Sequence, residues 1–154
     1  MRIHNSAISM VISLIFVVIL LTLQCNIPAR HSVYMITKPS ILPFDSVNYS
    51  LNTPLVIAID GHILVVPQGF ITDLASIPRV FWSFLAPNLP SFVYPSIAHD
   101  YLYSCNLKHT RFWADEVFYS LLLNENVKPW RAYSMFIAVR MFGLYHYNKE
   151  SVCL

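Results

Sequence analysis

A run of 19 residues without a charged side chain, from Ala7 to Cys25, divides this chain into an apolar leader and a single domain. About 20 apolar residues are needed to cross the hydrocarbon core of a bilayer, whereas the apolar region of a cleaved signal peptide has only about 7–15 residues. The best cleavage candidate, Ile27-Pro28-Ala29, is poor. We therefore expect an uncleaved single-pass anchor, with a cleaved leader as the alternative. The two flanks of the run carry similar numbers of basic residues, so charge hardly decides the orientation of the anchor. We expect the domain on the exported side of the membrane.

The rest of the 154-residue chain is long enough for one hydrophobic core. We divide the sequence into an anchor with its flank (1–30), a Pro/Ser-rich linker or edge strand (31–53), one compact domain (54–148) and a C-terminal tail (149–154). The net charge is only +2 and the Lys and Arg residues are scattered, so we expect no nucleic-acid partner. Cys105 and Cys153 either form a disulfide in an exported protein or remain free thiols, and no cysteine spacing predicts a zinc site.

Two apolar runs, Leu55–Ile59 and His62–Val66, predict a β-hairpin because only Asp60-Gly61 separates them. A further short strand is predicted at Phe70–Thr72, and one in the linker at Ser32–Thr37.

The hydrophobic period then changes from two to about 3.6, which predicts helices. Four helix starts are expected, near Pro78, near Pro95, after Thr110 as N-cap and at Pro129. The second helix should end near Asn106, and Gly143 should either end the last one or allow close packing. The predicted fold class is α+β, a small antiparallel β-sheet followed by three or four packed helices, behind the transmembrane helix.

Thr72, Asp73 and Ser76 form a first polar cluster, between the last predicted strand and Pro78. They can serve as a binding loop. The alternative is that Asp73 or Ser76 accepts hydrogen bonds from backbone donors at a helix start.

His99, Asp100 and Tyr103 form a second cluster, since residues three and four apart share one helix face. Arg111 and Asp115 lie four apart on the next helix. If the two helices form an antiparallel pair, Asp115 comes opposite His99, and a carboxylate on one imidazole nitrogen frees the other to act as a general base. A buried network that only holds the helices together explains the same spacing equally well.

Four motifs together resemble a family of unknown function seen in phages, prophages and bacteria. They are GFxTDxASxP at Gly69–Pro78, HDxLY at His99–Tyr103, RxxAD at Arg111–Asp115 and VRxFG at Val139–Gly143, with Arg140 as a supporting residue. The likeness covers roughly residues 55–147. It implies a phage or prophage context and no established activity.

The His99–Asp115 segment also looks like the helix pair of phospholipases A2. That resemblance implies that His99 activates a water, Asp100 binds calcium, Asp115 orients His99, and Tyr103 joins their network. The disulfides and the glycine-rich calcium loop of that family have no counterpart here. The Gly69–Pro78 loop would have to complete the oxygen shell that calcium requires.

Two functions are therefore expected from the sequence. The leading one is a membrane-tethered, calcium-dependent hydrolase acting on a lipid or a related ester. The other is a non-enzymatic phage or prophage factor that binds an envelope or virion protein, in which case the polar network is structural and His99 lies in a closed core. A nucleophilic mechanism through Ser104 or Cys105 ranks third, because neither lies in a recognisable nucleophile turn.

Overall fold

The structure, a computed structural model, describes residues 29–46, 48–74, 90–105, 109–145 and 147. The expected anchor at Ala7–Cys25, the expected helix near Pro78, Ser76 and the tail from 149 lie outside these residues. Within the described part, no helix is both long and apolar enough to span a bilayer.

The described strands form two small antiparallel sheets. The first sheet has the order β1-β4-β5 and contains β1 (Val33–Met35), β4 (Leu55–Ile59) and β5 (His62–Val66). The second has the order β2-β3-β6 and contains β2 (Ile41–Pro43), β3 (Tyr49–Leu51) and β6 (Ile71–Thr72). Both therefore draw strands from the segment 31–53.

The predicted hairpin is confirmed. Ile59 pairs with His62, and the two turn residues between them have positive φ angles, 51° at Asp60 and 83° at Gly61. Positive φ at both central residues defines the tight turn whose twist matches that of the flanking strands.

Three helices follow in the described residues: α1 (Pro90–Ser104), α2 (Arg111–Asn124) and α3 (Pro129–Phe142), with a 3-10 turn at Gly143–Tyr145. Thr110 caps α2 as expected, since its side chain accepts a hydrogen bond from the Trp113 backbone N–H. Pro129 opens α3, also as expected. The α+β class is confirmed.

Two expectations were wrong in detail. The second predicted helix begins at Pro90 and carries Pro95 in its interior, rather than beginning at about Pro95. Tertiary burial explains the longer helix, because Phe92 in its first turn is almost completely buried among α2 and α3 side chains. The segment 31–53 also holds three short strands rather than one, although its Pro and Ser content is typical of a linker.

Two apolar clusters hold these elements together. One joins the first sheet to α1 and α2, and includes Leu55, Ile57, Ile97, Val117 and Leu121. The other lies among the three helices, and includes Phe92, Phe118, Leu122, Met135 and Val139. Each such side chain contributes about 1.5–3 kcal/mol on full burial. Of the polar residues singled out from the sequence, Tyr103 belongs to the first cluster and Thr72 lies in β6 of the second sheet.

Candidate functional site

His99, Tyr103 and Asp115 converge between α1 and α2, as predicted. His99 Nε2 lies 2.9 Å from Asp115 Oδ1, and the Tyr103 hydroxyl donates to the same oxygen at 2.5 Å. His99 and Tyr103 reach one acceptor because residues four apart lie one above the other on a helix face.

Arg140 brings the third helix into this network. Its Nη1 donates to Asp115 Oδ2 at 2.7 Å, so both carboxylate oxygens accept hydrogen bonds. Arg111 Nη2 in turn donates to the Arg140 backbone carbonyl at 3.1 Å. The RxxAD and VRxFG motifs thus meet at one carboxylate, although they are 25 residues apart at Asp115 and Arg140.

Opposing effects set the ionisation of Asp115. Burial alone would raise the pKa of the carboxyl group. Hydrogen bonds from His99, Tyr103 and Arg140, together with the charge interaction with His99, outweigh burial, so the pKa is lowered. Burial and the neighbouring carboxylate raise the pKa of Tyr103 far above its usual range. The network therefore consists of an ionised carboxylate and a neutral phenol that donates to it. With a carboxylate at 2.9 Å, His99 Nε2 carries the proton of that hydrogen bond.

The His99 ring is closed off from solvent. The residue is 2% exposed and Asp115 is 0% exposed. The imidazole packs against the Tyr103 ring, with centroids 4.0 Å apart, and against the Phe118 ring at 4.8 Å. This is the closed core expected if the network is structural.

A pocket of about 250 Å³ lies beside the network, between α1 and the second sheet. Its walls are formed by Asn48, Phe70, Ile71, Thr72, Asp73, Asp100, Tyr103 and Ser104. His99 is not among these residues. Tyr103 is common to both features, since its ring lines the pocket while its hydroxyl binds Asp115.

Thr72, at the end of β6, links the segment Phe70–Asp73 that lines the pocket to α1. Its hydroxyl donates to Asp100 Oδ2 at 2.5 Å and accepts from the Leu74 backbone N–H at 3.1 Å. Leu74 has a φ of 54°, a conformation that costs a non-glycine residue free energy and is held here by the surrounding contacts. The Phe70 ring packs edge-on against the Tyr101 ring, which adds an apolar contact between this segment and α1.

The described residues do not by themselves form a calcium shell. Calcium takes six to eight oxygen ligands. The pocket offers two carboxylates, from Asp73 and Asp100, with oxygens from Thr72, Asn48 and Ser104. No group of three or more acidic, histidine or cysteine side chains in the described part is arranged to hold a metal. Calcium binding therefore stays a prediction.

The structure separates the predicted site residues into two groups. One group is the hydrogen-bonded network, with His99, Tyr103 and Asp115 at its buried centre and the partly exposed Arg140 and Arg111 beside it. The other group faces the pocket and consists of Thr72, Asp73 and Asp100. Ser76 lies outside the described residues. Asn48 was not predicted, because no motif marks it and it reaches the pocket through the pairing of β3 with β6. Ser104 lines the pocket, but its hydroxyl donates to the Asp100 carbonyl as in an ordinary helix.

Comparison with known protein families identifies a match. The family model described as a protein of unknown function, DUF1353, matches residues 49–139, more than half of the chain. The matched range contains the pocket residues Thr72, Asp73 and Asp100 and the network residues His99 and Asp115. No curated protein and no solved structure matches the chain. The chain belongs to the DUF1353 family of proteins of unknown function.

Proposed function

We propose that this chain is a membrane-anchored, phage- or prophage-type factor whose exported domain binds an envelope or virion protein through the pocket at Thr72, Asp73 and Asp100. In this proposal the His99–Asp115 network is a structural core. The single observation that carries it is the separation of the two features, since His99 is 2% exposed and does not line the adjacent pocket.

The pocket chemistry suits recognition of hydrogen-bond donors. Ionised carboxylates only accept hydrogen bonds, and two of the eight lining residues are aspartates. Phe70 and Ile71 add apolar wall, and Ile71 is 44% exposed at the rim. A few polar groups set in an apolar wall are typical of pockets that select a partner by orientation.

Three observations support the remaining parts of the proposal. The uncharged run at Ala7–Cys25 is long enough for an anchor. Cys105 is disulfide-bonded, and disulfides persist mainly in oxidising compartments outside the cytosol. The four sequence motifs support the phage or prophage context.

A photo-crosslinking residue in place of Ile71 tests the binding function in cells that contain the envelope and virion proteins. We expect a crosslink to one such protein from position 71 and none from Ile63, which is 59% exposed on the other sheet. Asp73→Asn should lower the yield about tenfold, as loss of a hydrogen bond to a charged group would, while Glu125→Gln, far from the pocket, should not. Equal yields from positions 71 and 63 would contradict a specific site.

Ester hydrolysis is a second candidate function, favoured by one specific observation. His99 Nε2 and the Tyr103 hydroxyl both bind Asp115, as the resemblance to phospholipases A2 implies, and Asp100 lies at the adjacent pocket. The base would have to act from a closed position, which is why we place this function second.

Hydrolysis of phosphatidylcholine vesicles, with calcium and with a chelator, separates the two functions. We expect no turnover above background from the wild-type protein or from His99→Asn. The variant should lose about 1–3 kcal/mol of unfolding free energy, because its shorter side chain impairs a buried network. Turnover in the wild type that falls about 10²- to 10⁴-fold in folded His99→Asn, the usual contribution of a general base, would instead establish the hydrolase.

A further inference from the structure

Helix α3 is apolar on both of its faces. One face is buried in the helix core through Ala132, Met135, Ala138 and Val139. The opposite face also carries large apolar side chains, and these are exposed: Trp130, Ile137 and Met141, followed by Leu144 in the 3-10 turn. We call these four residues the outer stripe. A helix that is hydrophobic all round normally lies in a core or in a membrane, so the outer stripe is unusual for a helix facing water.

The stripe runs along the whole helix. Its members are spaced by seven, four and three residues, which places them on one side at 3.6 residues per turn. From Trp130 to Leu144 it extends about 21 Å at a rise of 1.5 Å per residue. Met141 is 66% exposed and Leu144 63%.

Basic residues border the stripe and acidic residues are absent from the helix. Lys128 precedes α3, and Arg131 lies beside Trp130 with its guanidinium carbon 5.4 Å from the centre of the indole ring. The helix sequence PWRAYSMFIAVRMF has no Asp or Glu, and of its two arginines Arg140 is paired with Asp115, which leaves Arg131 beside the stripe. Trp with Lys and Arg around an apolar stripe is the composition of helices that lie in the interface of an anionic bilayer.

Helix α3 also lies near the point where the domain follows the expected anchor. Arg30 binds Glu116 at 2.6 Å and lies over the Phe112 ring, 6.0 Å from its centre. Phe112 is itself exposed and packs next to α3 through Phe136 and Arg140. Only four residues lie between Cys25 and Arg30, and an extended chain spans these five steps in about 18 Å.

We propose that the outer stripe of α3 docks the domain onto an anionic membrane surface, with Trp130, Ile137, Met141 and Leu144 entering the headgroup region. The location of the bilayer rests on the anchor proposed above, but the docking surface is a separate feature. A second exposed apolar patch, formed by Tyr34, Ile63 and Val65 on the first sheet, has no Lys or Arg in its strands and serves as the comparison.

Lipid photo-labelling of the full chain tests the proposal. The protein is reconstituted in vesicles of phosphatidylcholine and phosphatidylglycerol that contain a photoactivatable phospholipid, and labelled peptides are mapped by mass spectrometry. We expect labels on residues 130–144 and none on Ile63 or Val65. Met141→Glu should lower the labelling of α3 about fivefold or more, because a charge enters the apolar face. Ile63→Glu, at a similarly exposed position, should leave it unchanged.

The labels on residues 7–25 report the anchor independently. Labels there but none on α3 would overturn the docking surface and keep the anchor. Labels on α3 but none on residues 7–25 would keep the docking surface and overturn the anchor. Coverage of the stripe by another segment of this chain or by a second copy would exclude lipid from α3, which also overturns the proposal. Met141 and Ile63 are both more than half exposed, so both variants should fold.

Discussion

Replacing Asp115 with asparagine should lower the free energy of unfolding by about 3 kcal/mol, the effect of removing one partner from a buried, hydrogen-bonded charge pair. Asp115 Oδ1 accepts from His99 and Tyr103, and Oδ2 accepts from Arg140. An asparagine amide has only one oxygen. Its NH₂ group must therefore face either the Arg140 guanidinium or the donors on α1, so at least one buried donor loses its acceptor.

Urea unfolding of the two proteins measures this difference, and the matched control is Glu125→Gln. That variant also converts an acid to an amide, but it removes an ion pair with Lys38, whose side chain is about half exposed. Such a pair is worth about 1 kcal/mol or less. A loss of under about 1 kcal/mol in Asp115→Asn would mean that the carboxylate does not hold the three helices together.

The pH dependence of the free energy of unfolding gives a second test of the role of Asp115. The hydrogen bonds that lower the pKa of Asp115 stabilise the folded protein above the unfolded pKa of about 3.9, and this contribution is lost as the pH falls through the lower, folded value. The pKa of Asp60 is also lowered, by its hydrogen bonds with His31 and the Ser32 backbone. Asp60 is present in both proteins, so the difference between their acid unfolding curves isolates Asp115. We expect a shallower loss of stability below about pH 4 in Asp115→Asn.

Local signals in the sequence predicted the elements that position the network. Asp60-Gly61 predicted the hairpin, Thr110 predicted the start of α2, and Pro129 predicted the start of α3. Each of these is decided by the backbone conformation of a few neighbouring residues. The convergence of His99, Tyr103 and Asp115 also followed from helix periodicity and a short connection.

Non-local features could not be predicted in the same way. The β2 and β3 strands have three residues each and exist through their pairing with each other and with β6, which leaves no periodicity to detect. Arg140 was identified by its motif, but its bond to Asp115 depends on how α3 packs. Spacing also placed His99 and Asp100 together, whereas burial separates them: His99 faces the core and Asp100 the pocket. That separation is the reason why we propose the binding function ahead of ester hydrolysis.

Gly143 directly follows α3 and lies against Tyr103 of the network. Its φ of −70° is open to any residue, so the backbone does not require glycine here. A Cβ at this position would lie 2.8 Å from the Tyr103 hydroxyl oxygen and 3.0 Å from Cε2 of the same ring. Tyr103 cannot move away freely, because its hydroxyl is held by Asp115 at 2.5 Å and its ring is packed against His99.

Gly143→Ala should therefore lower the free energy of unfolding by about 2 kcal/mol, the usual cost of forcing an extra methyl group into a packed site. Removing the Tyr103 hydroxyl removes both the nearest atom and the bond that fixes the ring. In a Tyr103→Phe background, Gly143→Ala should then cost about 1 kcal/mol less, which a double-mutant cycle measures as a coupling energy. The control cycle pairs Gly143→Ala with Tyr94→Phe, which removes a tyrosine hydrogen bond to Pro39 elsewhere in the domain. Those two changes should add to within about 0.5 kcal/mol. If the effects of the two substitutions also add in the cycle with Tyr103→Phe, Gly143 does not act through Tyr103.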